Sequence, residues 1–371
     1  MKRQIPFLSL VPGPDADAVR AAIDRVIESG WFILGPELSA FETEFAASSG
    51  ARHAIGVGNG TDGLALSLRA LGIGRGDEVI TAPLSAAFSA LAIEMAGATP
   101  TFADLDPDRL TIDPRAVEAA ITPQTAAIMP VHIYGQPADM PRLVEIARRH
   151  HLAIVEDACQ AHAATCEGTP VGTFGEIGVF SFYPTKNLAA LGDAGCVITN
   201  DASLADRVRR LRNGGQSDRY HHGEFGVNSR LDEIQAAILR ARLSFLADWT
   251  ARRRALASRY RRMLAGARMT VPPECDPGHV YHLFAILASQ RDELQAHLGQ
   301  SGIGTLVHYP IPVPRQRAFA HLAAADCPVT NRVCNETLSL PLHPALSDAD
   351  LDTIAHAVQA WHGAPSTAMN R

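Results

Sequence analysis

A chain of 371 residues can bury a large core and reads as one large and one smaller domain. Charged residues make up 19% and hydrophobic residues 47%, as in a soluble globular enzyme, and a net charge of −6 gives no basic footprint for nucleic acid. No apolar run approaches the roughly 18 residues that a membrane-spanning helix needs, so no membrane partner is expected.

Residues 5–10 read as a short extended segment, and 14–29 as a helix with its aliphatic residues on one face. Residues 30–36 form a turn-rich apolar link in which Trp31 and Phe32 read as packing residues. A second helix covers 38–48. Residues 53–58 read as a strand, and Asn59-Gly60-Thr61-Asp62 then opens a helix running to Leu71. Strand, glycine turn and helix N-terminus make a ready anion site. The plainer alternative is an ordinary helix capped by Thr61 or Asp62. Gly56-x-Gly58-x-Gly60 with Asp77 imitates a dinucleotide fingerprint. Its last spacing is one residue short, however, and Asp77 precedes the next strand instead of ending one, so a dehydrogenase carries little weight.

Next come helix 85–96, strand 99–102, helix 113–121, strand 126–131, helix 140–149 and strand 152–155. That alternation predicts a largely parallel sheet with helices on both faces. His132-Ile133-Tyr134-Gly135-Gln136, at a strand's carboxyl end, is expected to line the rim of a site. The strand 152–155 runs into Glu156-Asp157-Ala158-Cys159-Gln160-Ala161-His162. A further strand, 177–182, runs into a loop carrying Lys186, with Gly192 and Gly195 after it. A lysine here reads either as a Schiff-base amine whose pKa is lowered by burial or as a solvated loop residue. An aspartate at a strand end with a lysine some thirty residues on is the pair a pyridoxal phosphate site needs, one to protonate the ring nitrogen and one to hold the aldehyde.

Strand 196–199 and helix 202–211 follow. The polar stretch 217–225 contains Tyr220-His221-His222 and reads as a substrate loop or a solvated one. Adjacent histidines do not converge on one ion, so no metal is expected. Residues 230–265 form one long helical pattern joining the large domain to the smaller one. There, 281–287 and 305–308 read as strands, 291–302 and 348–361 as helices, 310–316 as an irregular proline-rich segment, and 363–371 as a frayed tail. The six cysteines form no C-x-x-C pair, which removes zinc-ribbon and thioredoxin-type motifs. With no secretory signal, mostly buried, reduced thiols in the cytoplasm are expected.

Three elements together resemble the DegT/DnrJ/EryC1/StrS aminotransferases: Asp157-Ala158-Cys159-Gln160-Ala161-His162, Ser181-Phe182-Tyr183-Pro184-Thr185-Lys186-Asn187, and Asn228-Ser229-Arg230-Leu231-Asp232-Glu233. These are fold-type-I pyridoxal phosphate enzymes that aminate keto sugars, usually nucleotide-linked. The resemblance runs from about residue 5 to residue 343. It implies an α/β fold: a large cofactor domain (1–245) with a mixed, mostly parallel sheet flanked by helices, and a smaller C-terminal α+β domain (246–371).

The resemblance also implies roles. Lys186 forms the Schiff base with pyridoxal phosphate and shuttles the proton. Asp157 pairs with the pyridinium, and Gln160 lies near the phenolic oxygen. Gly60, Thr61 and Ser181 hold the phosphate. Asn228 reaches the phosphate of the neighbouring subunit's cofactor, which implies a homodimer with shared sites. His308 and Tyr309 stand on the substrate side or pack a hinge. Arg230 contacts an acid group or makes a structural ion pair. The amino donor is an amino acid, L-glutamate by family habit. The cofactor passes through its pyridoxamine form, and the acceptor is a keto sugar.

Three departures stand out. Ser85-Ala86-Ala87 precedes Phe88 where the family often has an aromatic, which leaves Ala87 over the ring. Pro314 stands where a histidine is common, and Ala163-Ala164 where glycine is. A dehydratase of this family carries histidine in place of the lysine, so Lys186 argues against that branch. A non-catalytic cofactor-binding regulator and an aminocyclitol aminotransferase are the alternatives.

Overall fold

Parallel strands covered on both faces should be apolar at every position, with successive side chains feeding two different cores. The computed structural model, which describes residues 4–322 and 325–362, has this arrangement; the tail at 363–371 lies outside the described residues. In chain order the strands are β1 (His53–Val57), β2 (Glu78–Thr81), β3 (Thr99–Phe102), β4 (Thr125–Met129) and β5 (Ala153–Asp157). A short ribbon follows, β6 (Thr165–Cys166) with β7 (Thr169–Pro170), then β8 (Ile177–Ser181) and β9 (Gly195–Thr199). The main sheet runs β1-β9-β8-β5-β4-β2-β3. Pairings from β8 across to β3 are parallel, while β9 is antiparallel to both its neighbours. The sheet is therefore mixed and mostly parallel, as expected.

The helices between strands are α1 (Ala16–Ser29), α2 (Pro36–Ser48), α3 (Gly60–Ala70), α4 (Phe88–Ala96), α5 (Pro114–Ala120), α6 (Met140–His150), α7 (Ala202–Leu211) and α8 (Glu233–Leu243). Ile80, Ile128 and Ile154 enter the core under α5 and α6. Their neighbours Val79, Ala127, Met129 and Val155 enter the opposite core under α3 and α7. On the β1-β9-β8 side, Ala54, Phe180, Cys196 and Ile198 pack beneath α2 and α8. There Phe182 meets Phe41 and Phe45 edge-on at 5.5 and 5.2 Å. Edge-to-face rings are a favoured aromatic geometry, and this cluster anchors the chain immediately before Lys186.

The second core is built on β12 (Phe284–Leu287) paired antiparallel with β13 (Thr337–Leu340). Between β9 and β12 in the chain comes the ribbon of β10 (Gln216–Asp218) and β11 (His221–His222), mostly exposed. Leu256 and Tyr260 of α9 (Leu246–Met263), Leu294 and Leu298 of α10 (Arg291–Gln300), and Ile354 of α12 (Asp348–Gln359) close over the pair. Ile5, from the far end of the chain, bridges Ile303 and joins this core.

Several expectations need correction. The long helix at 230–265 is two helices, and the first begins at Glu233, not Arg230. At the break, the Phe245 N–H donates to Arg242 O and the Ser244 hydroxyl to Ala241 O. Such tight i→i−3 bonds interrupt the α pattern. Helix α4 starts at Phe88, not Ser85. The α3 N-cap is Asn59, whose side chain accepts the Asp62 N–H at 2.8 Å; neither Thr61 nor Asp62 fills that position. The strand at 305–308 is a single bridge, Leu306 to Ser339. Helix α11 (Pro328–Glu336) and β13 were not anticipated; α11 opens on Pro328, a residue that suits the first turn of a helix. Trp31 and Phe32 are not packed within the chain and remain 57% and 49% exposed. Of the cysteines, 166, 196, 327 and 334 are buried and free, and 159 and 275 are half-buried.

One buried carboxylate ties these layers together. Glu233, at 1% exposure, accepts the N–H groups of Gly35 (2.8 Å) and Leu38 (3.0 Å) on one oxygen and of Glu37 (2.8 Å) on the other. The first turn of α2 has no capping side chain of its own, so Glu233 satisfies its free donors from a residue remote in sequence. Glu233→Ala should lower unfolding free energy by about 3 kcal/mol, since three backbone donors lose their buried acceptor. Glu233→Gln keeps one acceptor oxygen and should lose about 1 kcal/mol. Urea unfolding of both variants checks this, and equal losses would show that the carboxylate's pairing is not what matters.

Candidate active site

Strands β5 and β8 are parallel neighbours with Asp157 opposite Val179, so the side chains just past both ends emerge at one edge of the sheet. Helix α3 starts at the same edge. A Cβ added at Gly60 would lie 2.7 Å from Cys159 Sγ and 3.0 Å from Ser181 Cβ, which brings the α3 N-terminus, the β5 end and the β8 end into contact. A Cβ at Gly195 would sit 2.4 Å from the Asn59 carbonyl carbon. Both positions require glycine for close approach. The first backbone intrahelical bond runs from Gly63 N to Asn59 O, so the N–H groups of Gly60 and Thr61 precede it and are open to an anion.

Asp157 is 6% exposed. Its Oδ2 accepts the Ser89 hydroxyl at 2.7 Å and its Oδ1 the Cys159 N–H at 3.1 Å. Gln160 is held by its amide oxygen, which accepts the Tyr134 N–H at 2.7 Å. That bond fixes the amide so that Nε2 faces outward, where it donates to the Tyr309 hydroxyl at 3.2 Å. Lys186 is half-buried in a loop closed by two bonds of 2.8 Å, Phe182 N to Ala194 O and Ala190 N to Phe182 O. Burial lowers its amine below the ordinary lysine value, opposed in part by the nearby charges of Cys159 and Asp157. Burial, then Asp157, pushes the Cys159 thiol well up.

The substrate-side pair sits close by. His308 Nδ1 lies 3.0 Å from Ser339 Oγ, and the His308 carbonyl accepts the Tyr134 hydroxyl. Burial and then Lys186 push the His308 imidazole down to about 4, and burial pushes the Tyr309 phenol up to about 12. Ala87 is buried in a left-handed conformation (φ 66°) at the start of α4. Its methyl packs with Ala90, Phe102 and Val313.

Asn228 and Arg230 are placed differently. Asn228 is exposed and bridges Asn213, while Arg230 donates to Asn213 Oδ1 at 3.2 Å. Only Ser229 between them turns inward. It donates to Asp62 Oδ2 at 2.7 Å and accepts the Gly58 N–H at 2.9 Å. The segment therefore lies against the first turn of α3 while presenting Asn228 outward.

Sequence reasoning missed Ser85, Ser89, Tyr134 as a holder of Gln160, and Cys159 as a wall of the cradle. Two hydroxyls four residues apart, in a stretch read as helical, were the available signal for the serines. The donor set fits a phosphorylated pyridine aldehyde. Free helix N–H groups and a glycine cradle suit the phosphate, a buried carboxylate suits the ring nitrogen, an amide N–H suits the phenolic oxygen, and a desolvated amine suits the aldehyde.

Comparison with known proteins agrees. Residues 15–359 match the sequence model of the DegT/DnrJ/EryC1/StrS aminotransferase family. A Streptomyces venezuelae protein named dTDP-3-amino-3,4,6-trideoxy-alpha-D-glucose transaminase is 46% identical, with 96% of each chain covered. UDP-N-acetyl-3-dehydro-alpha-D-glucosamine 3-aminotransferase of Acidithiobacillus ferrooxidans is 44% identical over 353 residues, covering 94% of this chain and 95% of the other. The crystal structure of Streptomyces venezuelae DesV with a ketimine intermediate superposes with a TM-score of 0.93 at 47% identity, covering 96% of this chain and 98% of that one. In sequence and in fold alike, this chain belongs to the DegT/DnrJ/EryC1/StrS aminotransferase family of pyridoxal phosphate enzymes.

Proposed function

We propose that this aminotransferase takes the amino group of L-glutamate and delivers it to the keto carbon of a nucleotide-linked sugar. The observation that carries the reading is the desolvated Lys186 amine beside Asp157 at the cradle formed by α3, β5 and β8. The nucleotide sugars for which these relatives are named support the acceptor class.

Pyridoxal phosphate, when bound, supplies an aldehyde that takes up an amino group and a ring that accepts the electrons left behind when a substrate carbon loses its proton. The chain's own residues then do four things. Gly60, Thr61 and Ser181 hold the phosphate. Asp157 keeps the ring nitrogen protonated. Gln160, its amide fixed by Tyr134, offers Nε2 to the phenolic oxygen. Lys186 Nζ, favoured as the neutral amine by burial, takes the proton from the substrate carbon and returns it to the cofactor carbon. His308 and Tyr309 stand on the substrate side, and both are neutral near pH 7. Ala87 itself offers only a methyl to the ring, so any cover it gives is not aromatic.

We further propose a homodimer in which Asn228 reaches the partner's cofactor phosphate and Arg230 an acidic group of the substrate. Exposed Trp31, Phe32, Tyr183 and Leu191 support such a face. Ile33 bridges Asp232 and Leu191 N–H bonds to Gln235, so these apolar residues border the Asn228 segment. Large apolar side chains left exposed beside one segment suit an interaction face. No helix among the described residues is long and apolar enough to cross a membrane, and the free cysteines support a reducing compartment, the cytoplasm.

The purified protein with pyridoxal phosphate should show a visible absorption band that L-glutamate bleaches, and the bleached form should aminate a nucleotide-linked keto sugar. Lys186→Ala should lose the band and turnover while folding normally; retained turnover would refute the mechanism. A coloured protein indifferent to every amino donor would instead favour a non-catalytic regulator. Lys186→Ala and Asn228→Ala, each impaired alone, should together yield mixed dimers with one intact site and about half of the normal activity per dimer. Absence of that complementation, with both chains shown to pair, would place Asn228 in its own chain's site.

A further inference from the structure

We propose that Ser89 is a positioning residue for transamination, fixing the rotation of the Asp157 carboxylate so that it stays aligned with the cofactor's ring nitrogen. The inference rests on the reading of Asp157 as the partner of that nitrogen. Asp157 could turn about its terminal torsion, a broad and soft one. Two donors prevent this, Ser89 Oγ at 2.7 Å on one oxygen and Cys159 N–H at 3.1 Å on the other. Ser89 has a single hydroxyl proton, and it is donated in the hydrogen bond to Asp157 Oδ2. The Ser85 hydroxyl, 3.1 Å from Ser89 Oγ, is therefore the donor in that pair. A directed chain results, Ser85 to Ser89 to Asp157, in which each bond polarises the next.

Ser89 and Ser85 are 1% and 6% exposed, so bulk water does not replace either hydroxyl. The backbone between them carries Ala87 in the left-handed region, an uncommon conformation for a residue with a Cβ. That conformer joins Ser85 to the first turn of α4, and retained strain of this kind marks positions a site depends on. Neither serine touches the cofactor in this account; Ser89 acts through Asp157.

The test is a set of equilibrium affinities for two ligands on the full chain freed of cofactor. One is pyridoxal phosphate, and the other is its analogue with C–H in place of the ring nitrogen. Ser89→Ala should weaken pyridoxal phosphate by about tenfold and the analogue by less than about twofold, because only the former uses the aligned carboxylate. Ser89→Thr, which keeps the hydroxyl, should stay near wild type. Ser85→Ala should give a smaller loss with the same ligand preference. Equal weakening of both ligands by Ser89→Ala would reduce the residue to local packing, and no weakening of either would remove the role; each overturns the proposal. Asp157→Ala is the separate control. If it penalises both ligands alike, the assignment of Asp157 to the ring nitrogen fails, whatever Ser89 does.

Discussion

The parallel pairing of β5 with β8 is the constraint on which the site depends. Its register sets Asp157 opposite Val179, so the chain leaving β8 passes Ser181 and enters the lysine loop at the same sheet edge where Asp157 ends β5. Asp157, Ser181 and Lys186 are thus delivered by backbone geometry, before any side-chain interaction among them is counted. A one-residue slip would turn these side chains to the opposite face of the sheet. The slip is resisted because alternating residues of β5 and β8 feed separate cores: Ile154 under α6, Phe180 beneath α2, and Val155 with Val179 under α3.

Two further buried carboxylates hold the surroundings of that edge. Glu156, one residue before Asp157, points to the other face. It accepts the N–H groups of Gly172 (2.7 Å), Phe174 (2.7 Å) and Gly175 (3.1 Å) and lies 3.1 Å from His132 Nε2. His132 Nδ1 accepts the Ala138 N–H, which leaves Nε2 carrying the proton toward Glu156. Neighbouring acids on one strand thus divide two tasks: Glu156 fixes the loops behind the sheet, and Asp157 faces the site. Glu233 does comparable work at α2, whose phenylalanines support the chain entering the lysine loop.

The sheet and the central pair of the site were legible in the sequence because both are local patterns. Apolar runs ending in Asp157 and in the Lys186 loop announce strand ends, and alternation with helices announces a parallel sheet. Residues whose meaning depends on distant chain segments were not legible. Ser89 bonds a residue 68 positions away, and Glu233 caps a helix nearly 200 positions away. Trp31 and Phe32 look like core residues by type, yet their burial depends on whatever covers that face. The split of residues 230–265 escaped for the opposite reason. The helical period continues through Ser244, and only the local hydroxyl and N–H bonds at the break reveal the turn.

The electrostatics around Lys186 follow from burial more than from ion pairing. Burial pushes the His162 imidazole down to about 3 and His282 well below the usual histidine range, with Lys186 the next cause in both. His308 is lowered for the same two reasons. Near pH 7 these imidazoles are therefore uncharged, and they can surround an amine without repelling its protonated form. Arg253, lowered by burial to about 10, remains cationic and is held by the carbonyls of Tyr281, His282 and Leu342 instead of a carboxylate. Because those carbonyls belong to the segments around β12 and β13, Arg253 joins α9 to the strands of the second core. His282 Nδ1 in turn lies 3.2 Å from Asn187 Oδ1, directly after the lysine. The second core thus reaches the lysine loop through neutral hydrogen bonds, and no charged side chain carries that connection.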